Sequence, residues 1–238
     1  MRSHAEAIRL MEILEGTVMK DLRSLLQWAR GFDQSHSPQS KFGGLNFTLS
    51  LVSLVACEVC GFYMAGAYQH RRSQSPNQVD SGSYSIEFIN RYFPRGSYFK
   101  KLSKVLADFL RHDLVHGFGS GNPKIPFRMS LFIRSDPQDQ IRAGTQRGKN
   151  FLALNSIALA EHSMSAFEGM KTAVTKGQDV DLIRNIVRAK RLRIPVSTRV
   201  SNQFEVVYQE ACKKGLVLPT RKGQKRPQGE EGGTLVRK

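Results

Sequence analysis

The chain has 238 residues, 40% of them apolar and 24% charged. Those are ordinary globular proportions, so wholesale disorder and a collagen-like repeat are excluded, and the length allows a sizeable core without disulfides. Lys and Arg total 36 against 20 Asp and Glu, a formal net charge of +16, which points to polyanionic partners, nucleic acid before an anionic membrane surface, and says nothing about fold.

Residues 3–30 read as one amphipathic helix. Ile8, Met11, Leu14, Val18, Leu22, Leu25 and Leu26 recur at three- and four-residue steps, which places them on one stripe. Ser3 and Glu6 have capping-box spacing, and Gly31 offers a stop. A polar connection leads to the paired Gly43 and Gly44. Residues 45–70, LNFTLSLVSLVACEVCGFYMAGAYQH, form the most apolar run, with Glu58 its one charge before His70. The run is long enough to span a bilayer. Asn46, Thr48, Ser50, Ser53 and Glu58 dilute it, however, and a charge in mid-membrane is costly. A buried central helix is expected, with no membrane partner. Residues 71–83 read as an exposed linker.

Residues 84–93 read as a short helix ended by Pro94. A second helix starts at Ser97, with Phe99, Leu102, Val105, Leu106, Phe109 and Leu110 as its apolar face. After GSGNPKIP the period shortens. Residues 127–133 and 150–155 read as two strands of a β-hairpin with a long basic loop, an insertion covering about 126–155. Residues 156–175 return to helix, and 179–192 and 202–214 read as further basic helices. From 215 onward Gly, Lys, Arg and Gln dominate, the composition of a disordered basic tail. The expected fold is mainly α, a helical bundle with a small β-hairpin insertion. It divides into a domain at 1–178, a basic helical extension at 179–214 and the tail at 215–238. Charge follows that division: residues 184–238 hold 14 basic and 4 acidic residues, net +10.

The three cysteines, Cys57, Cys60 and Cys212, are too few for a disulfide framework and fit a reducing compartment. The N-terminal segment lacks the apolar core of a secretory signal, so a cytoplasmic location is expected. Cys57 and Cys60 form a C-x-x-C without the second ligand pair of a structural metal site, and read as small buried residues. No metal and no cofactor is expected. Residues 117–123 are glycine-rich but lack the Gly-Lys-Ser/Thr of a phosphate loop.

One segment stands apart. In Arg111-His112-Asp113-Leu114-Val115-His116, ionisable side chains follow directly on an apolar helical stripe. Arg offers a permanently charged fork suited to phosphate, and His exchanges protons near neutrality. Together they are the minimum set for cleaving RNA without a metal: one group takes the 2′-OH proton, the other holds charge developing on the phosphate oxygens. On an ideal helix the five-residue step turns about 140°, so Arg111 and His116 would converge through a helix distortion or across a dimer.

The R-x4-H spacing, with a polar residue after the Arg, resembles the signature of HEPN-domain proteins (higher eukaryotes and prokaryotes nucleotide-binding). That resemblance covers about residues 45–120. It implies a helical bundle, a homodimer with the motif in the interface cleft, and metal-independent ribonuclease activity leaving a 2′,3′-cyclic phosphate. It also implies a toxin or defence role with a protein inhibitor as partner. Carried over, Arg111 holds the scissile phosphate, His116 is the general base, His112 positions substrate and Asp113 supports them. A non-catalytic nucleic-acid- or nucleotide-binding module remains the alternative.

Glu58, an isolated carboxylate in an apolar run, must be paired or shift its pKa. Arg111 is one expected partner, and a solvent-facing position is the other reading. Arg188, Lys190, Arg191 and Arg193 could grip an RNA backbone without reading its sequence, or simply form a solubilising charged face.

Overall fold

The computed structural model describes residues 2–35, 43–66, 82–107, 127–136, 138–146, 149–191 and 206. One compact unit spans Met1–Leu192 and a second comprises Arg193–Lys238. The expected 202–214 helix and the 215–238 tail lie outside the described residues, apart from the helical Val206.

The first helix is longer than its periodicity predicts, and irregular in the middle. Helix α1 (Arg2–Leu14) runs through a π-helical turn at Glu15–Met19 into α2 (Lys20–Ser35). Leu14 and Lys20 on either side keep right-handed helical dihedrals. The buried positions explain the turn. They are Ala7, Leu10, Met11, Leu14, Met19, Leu22, Leu26 and Ala29, and the step from Leu14 to Met19 is five residues. An α-helix would rotate Met19 off the stripe, whereas one wide turn brings it back. Gly31 does not stop α2, since one helical glycine costs only about 1 kcal/mol against alanine.

Helix α3 (Gly43–Ala65) is the central element, with Leu49, Leu54, Ala56, Cys57, Cys60 and Met64 in the core. Its length and apolarity alone would let it cross a membrane, yet half of its apolar window is buried against the protein's own elements. It ends before the expected 70. Gly66, at φ +63, donates its N–H to the Phe62 carbonyl at 3.1 Å. A side chain there would be strained by the backbone and would also meet Asn185 at 3.0 Å. The serines that dilute α3 are satisfied, whereas Asn46 donates its Nδ2 to the Leu131 carbonyl at 3.4 Å and keeps its Oδ1 buried without a partner. Ser53 donates to the Leu49 carbonyl at 2.7 Å, Ser50 to Ser156 Oγ at 2.9 Å, and Ser156 to the Asn46 carbonyl at 3.1 Å.

Helix α4 (Gly82–Tyr92) crosses α3 with backbones nearly touching: a Cβ on Gly61 would sit 2.0 Å from the Tyr84 carbonyl oxygen. The helix expected from Ser97 opens as two short pieces, α5 (Tyr98–Lys101) and α6 (Ser103–Val105), broken at Leu102. Leu106 and Ala107 beyond them are buried.

The β insertion differs from the expected two-stranded hairpin. It is a three-stranded sheet of β1 (Phe127–Phe132), β2 (Ile141–Gln146) and β3 (Lys149–Asn155), in the order β1-β3-β2. The antiparallel hairpin is β2–β3, with Ile141 opposite Leu154 and Gln146 opposite Lys149. Strand β1 lies parallel to β3 on its other side, with Phe127 opposite Asn150 and Phe132 opposite Asn155. The chain therefore leaves β1 and crosses the end of β3 before entering β2, and residues 133–140 form the crossover.

Asn155 pins that crossover. It is fully buried; its Nδ2 donates to the Arg134 carbonyl at 2.9 Å and the Asp136 carbonyl at 3.4 Å. Its Oδ1 accepts from the Arg134 N–H at 3.2 Å and the Ile157 N–H at 3.1 Å. The second of these is the N-cap bond of α7 (Ser156–Thr175). Helix α7 begins and ends where its sequence predicts. It closes at Gly177, φ +65, with Gln178 N–H to the Ala173 carbonyl and Gly177 N–H to the Val174 carbonyl. His4 Nε2 also donates to Val174 O at 2.7 Å.

Helix α8 (Val180–Arg191), capped by Asp179 Oδ1 accepting from Leu182 N–H at 2.8 Å, carries the basic run expected to form an extension. It is instead a wall of the first unit, with Leu182, Ile183, Ile186 and Val187 in the core and contacts to α1 and α3. The unit boundary falls after Leu192 rather than after 178.

Candidate functional site at the sheet and its crossover

Arg111, His112, Asp113 and His116 lie outside the described residues, as does Arg193. The described chain approaches them through α6, Leu106 and Ala107, a buried anchor four residues short of Arg111. The other predicted residues are placed. Glu58 is half-buried on α3, on the side that meets α4, where its charge contributes to raising the Tyr84 phenol. Burial is the larger cause of that rise, followed by Glu87 and then Glu58. The expected pairing of Glu58 with Arg111 lies outside the described residues. On α8, Arg188 is exposed and Lys190 is 3.2 Å from Glu6 of α1. Arg191 closes the helix.

Cys57 and Cys60 are both buried. Burial pushes the Cys57 thiol up to about 12, against a hydrogen bond to Ser163 at 3.3 Å. Burial, with Cys57 beside it, raises Cys60 well above the usual thiol range. Thiols held protonated are neither nucleophiles nor ready metal ligands. Among the described residues no three His, Cys, Asp or Glu side chains gather as a metal site.

Two arrangements were not read from the sequence. The first joins three elements. Ser97 Oγ donates to Gln140 Oε1 at 3.3 Å and lies 3.0 Å from His162 Nδ1, and the Tyr98 N–H donates to the same Gln140 oxygen at 3.0 Å. The Phe93 and Phe99 rings stand edge-on to the imidazole, centroids 5.6 and 5.4 Å away. Burial lowers the His162 pKa, partly opposed by Glu161. Gln140 Oε1 can only accept, so Ser97 donates to it and receives from His162 Nδ1–H. A neutral imidazole with its proton on that nitrogen cannot take the serine proton. The cluster therefore holds the crossover against α5 and α7, and is not a nucleophile with its base.

The second is the outer face of the sheet. Alternation sends Leu131, Ile141, Leu152 and Leu154 inward, where all four meet the core. Ser130, Phe132 and Arg142 occupy the opposite face. Ser130 and Arg142 are exposed and Phe132 is half-buried. The Arg142 guanidinium lies over the Phe132 ring, 5.0 Å from its centroid. Its Nε donates to Asp139 Oδ1 at 3.1 Å and a terminal nitrogen bonds Asp139 Oδ2. That carboxylate raises the Arg142 pKa. Asp139 belongs to the crossover that Asn155 and Gln140 fix, so a cation is held in place on an open surface. The local signal for β2 was weak: only Ile141, Ala143 and Thr145 alternate, and Arg142 and Gly144 between them read as loop.

Compared with protein-family models, curated proteins and solved structures, the chain matches none.

Proposed function

We propose that the chain is a metal-independent endoribonuclease of HEPN type, working as a cytoplasmic homodimer with Arg111 and His116 at its centre. The observation that carries this reading is the segment RHDLVH, next in sequence to the buried anchor of α6. The net charge of +16 and the mainly helical fold support it. In the reaction, His116 takes the proton of a ribose 2′-OH and the oxygen attacks the adjacent phosphorus. The O2′–P bond forms, the P–O5′ bond breaks, and the departing 5′-oxygen takes a proton from water, which leaves a 2′,3′-cyclic phosphate and a 5′-hydroxyl. Arg111 binds the non-bridging oxygens, where charge accumulates. His112 and Asp113 position the strand, and Glu58 supports the site from α3. Unchecked RNA cleavage is toxic, so a toxin or defence role with a protein inhibitor fits this chemistry.

The test is incubation of the purified full chain with a mixed RNA pool in excess EDTA. Wild type is expected to leave cyclic-phosphate ends. His116→Ala, with an unchanged thermal transition, is expected to be slower by at least about a hundredfold, the usual weight of a general base. An inactive wild type, or a His116→Ala as fast as wild type, overturns the proposal.

A further inference from the structure

Arg95, Tyr98, Lys101 and Lys104 recur at three-residue steps and end seven residues before Arg111. All four side chains are exposed, Tyr98 by 46%. The row follows from what α5 and α6 bury. Phe99, Ser103 and Leu106 are buried, so Tyr98, Lys101 and Lys104 fall on the opposite side, within about 120° of arc. Two four-residue hydrogen bonds carry the helical phase across the break at Leu102. Leu102 N–H donates to the Tyr98 carbonyl at 3.0 Å, and Leu106 N–H to the Leu102 carbonyl at 2.8 Å. Arg95 precedes them on the turn that Ser97 N–H closes on the Pro94 carbonyl at 3.0 Å. The Lys101 ammonium lies over the Tyr98 ring, 5.0 Å from its centroid.

The charge here is not offset. Residues 88–107 hold five basic residues and no acidic one. Arg91 is paired with Asp179. Arg95, Lys100, Lys101 and Lys104 join none of the ion pairs among the described residues. On the crossover, whose Gln140 accepts from the Tyr98 N–H, Asp139 is engaged by Arg142 and Asp136 accepts from the Gln138 N–H at 2.9 Å. Arg134 and Arg142 balance those two carboxylates, which leaves the four cations beside Tyr98 in surplus.

We propose that this row holds the RNA strand next to the bond that is cut, with Arg95, Lys101 and Lys104 on its phosphates and one base against the exposed part of the Tyr98 ring. The proposal rests on the reading of the chain as an RNA-cleaving protein and names the side chains that hold its substrate. Three observations select that occupant. Surplus cations attract a polyanion and gain from the counterions it releases. An aromatic ring set among those cations suits an unstacked base, whereas a membrane surface calls for apolar side chains that insert, and residues 95–104 expose no aliphatic one. Reach is the third. Seven residues span at most about 25 Å however they fold. A strand of roughly twelve nucleotides is about 40 Å long at about 3.4 Å per phosphate, so one strand can meet both Lys104 and Arg111.

The experiment uses the full chain carrying His116→Ala, so that RNA is bound and not cut. Fluorescence anisotropy is measured with a labelled single strand of roughly twelve nucleotides across a series of salt concentrations. Replacing Lys101 and Lys104 together by Gln is expected to weaken binding about tenfold. The slope of log affinity against log salt should fall by about 1.4, two phosphate contacts at about 0.7 each. Replacing Lys20 and Lys176 by Gln removes the same charge from exposed positions elsewhere and should leave affinity within about twofold and the slope unchanged. Tyr98→Ala is expected to weaken binding about tenfold at an unchanged slope, the weight of one stacked base, and Tyr98→Phe to bind as wild type does. Equal losses for the two lysine pairs would reduce the row to bulk charge and overturn the proposal. So would wild-type affinity in Tyr98→Ala, or tighter binding of polyglutamate or of phosphatidylserine vesicles than of the RNA. If wild type cleaves RNA through His116 and the Lys101/Lys104 variant keeps its KM, this proposal fails and the nuclease reading stands. If wild type does not cleave but single-strand binding depends on the row, the nuclease reading fails and this one stands.

Discussion

Helix α3 and the outer face of the sheet both mix polar residues into apolar surroundings, and they resolve the mixture in opposite ways. Along α3 the serines and Cys57 are small and bonded close by. Ser50 meets Ser156, Ser53 meets its own helix, and Cys57 meets Ser163. Such groups cost little to bury once bonded and let helices approach closely. On the sheet the polar group is long and charged, and its partner Asp139 is the more buried of the two, while the Arg142 side chain stays about half exposed. The first arrangement uses up hydrogen-bonding capacity to make packing tight. The second keeps a paired charge at the surface and limits its motion.

The closest packing is the place to break the first arrangement. A Cβ on Gly61 would lie 2.0 Å from a backbone oxygen of α4, where no flexible side chain can yield. In an open helix Gly→Ala gains up to about 1 kcal/mol. Gly61→Ala is expected to reverse that sign and cost about 3 kcal/mol or more, because two helices must separate. Gly31, with nothing within 4 Å of a built Cβ, is the control and should show the ordinary gain. Chemical denaturation of the two variants checks this, and a stabilised Gly61→Ala would contradict the crossing.

Asn155 joins the sheet's crossover to α7, the helix packed on α3, since one side chain caps α7 and holds the crossover that bears Asp139. Asn155→Ala removes four bonds and leaves buried backbone groups unpaired. A loss of about 3 kcal/mol is expected from the cap and the orphaned groups together. Hydrogen exchange should accelerate at the Arg134 and Ile157 amides before the rest of the unit. A loss below 1 kcal/mol, with both amides still protected, would mean the crossover is held by something else.

These two residues also mark how far a sequence can be read. The extent of α7 follows from its period, and so does the burial of α3, because both signals are local. The π turn is local as well, but it shows only as a five-residue step between Leu14 and Met19, which a period-3.6 template accepts as scatter. The sheet is different. Whether residues 127–132 pair parallel or antiparallel with 149–155 depends on the path of the crossover, and that path is set by Asn155 reaching back some twenty residues to Arg134 and Asp136. No window of ten residues contains that information. Residues 180–191 teach a related point. Their composition marks a basic extension, while Leu182, Ile183, Ile186 and Val187 mark a core helix, and the period decides because burial follows faces rather than averages. Of the candidate site, Arg188, Lys190 and Glu58 were legible as residues, but their neighbours Glu6 and Tyr84 come from other helices.

The smallest expected effect concerns the junction between the two regions, where His162 of α7 meets Ser97 and the crossover residue Gln140. Burial holds the imidazole below its ordinary value of 6.5 in the folded protein, while the unfolded chain titrates near that value. Below it the unfolded state therefore binds more protons than the folded state, and stability falls as the pH falls. The contribution is fully present above about pH 6.5 and is lost toward the lower folded value. His162 is only half-buried, so solvent tempers the effect. Denaturation midpoints measured from about pH 7 to about pH 5 should decline in wild type and decline less in His162→Gln, which keeps a polar group for Ser97 but cannot titrate. Because Gln140 couples this junction to the crossover, acidification should also loosen Asp139 and Arg142. Identical slopes in the two proteins would show that the imidazole takes up protons alike in the folded and unfolded states, and that burial does not hold it neutral.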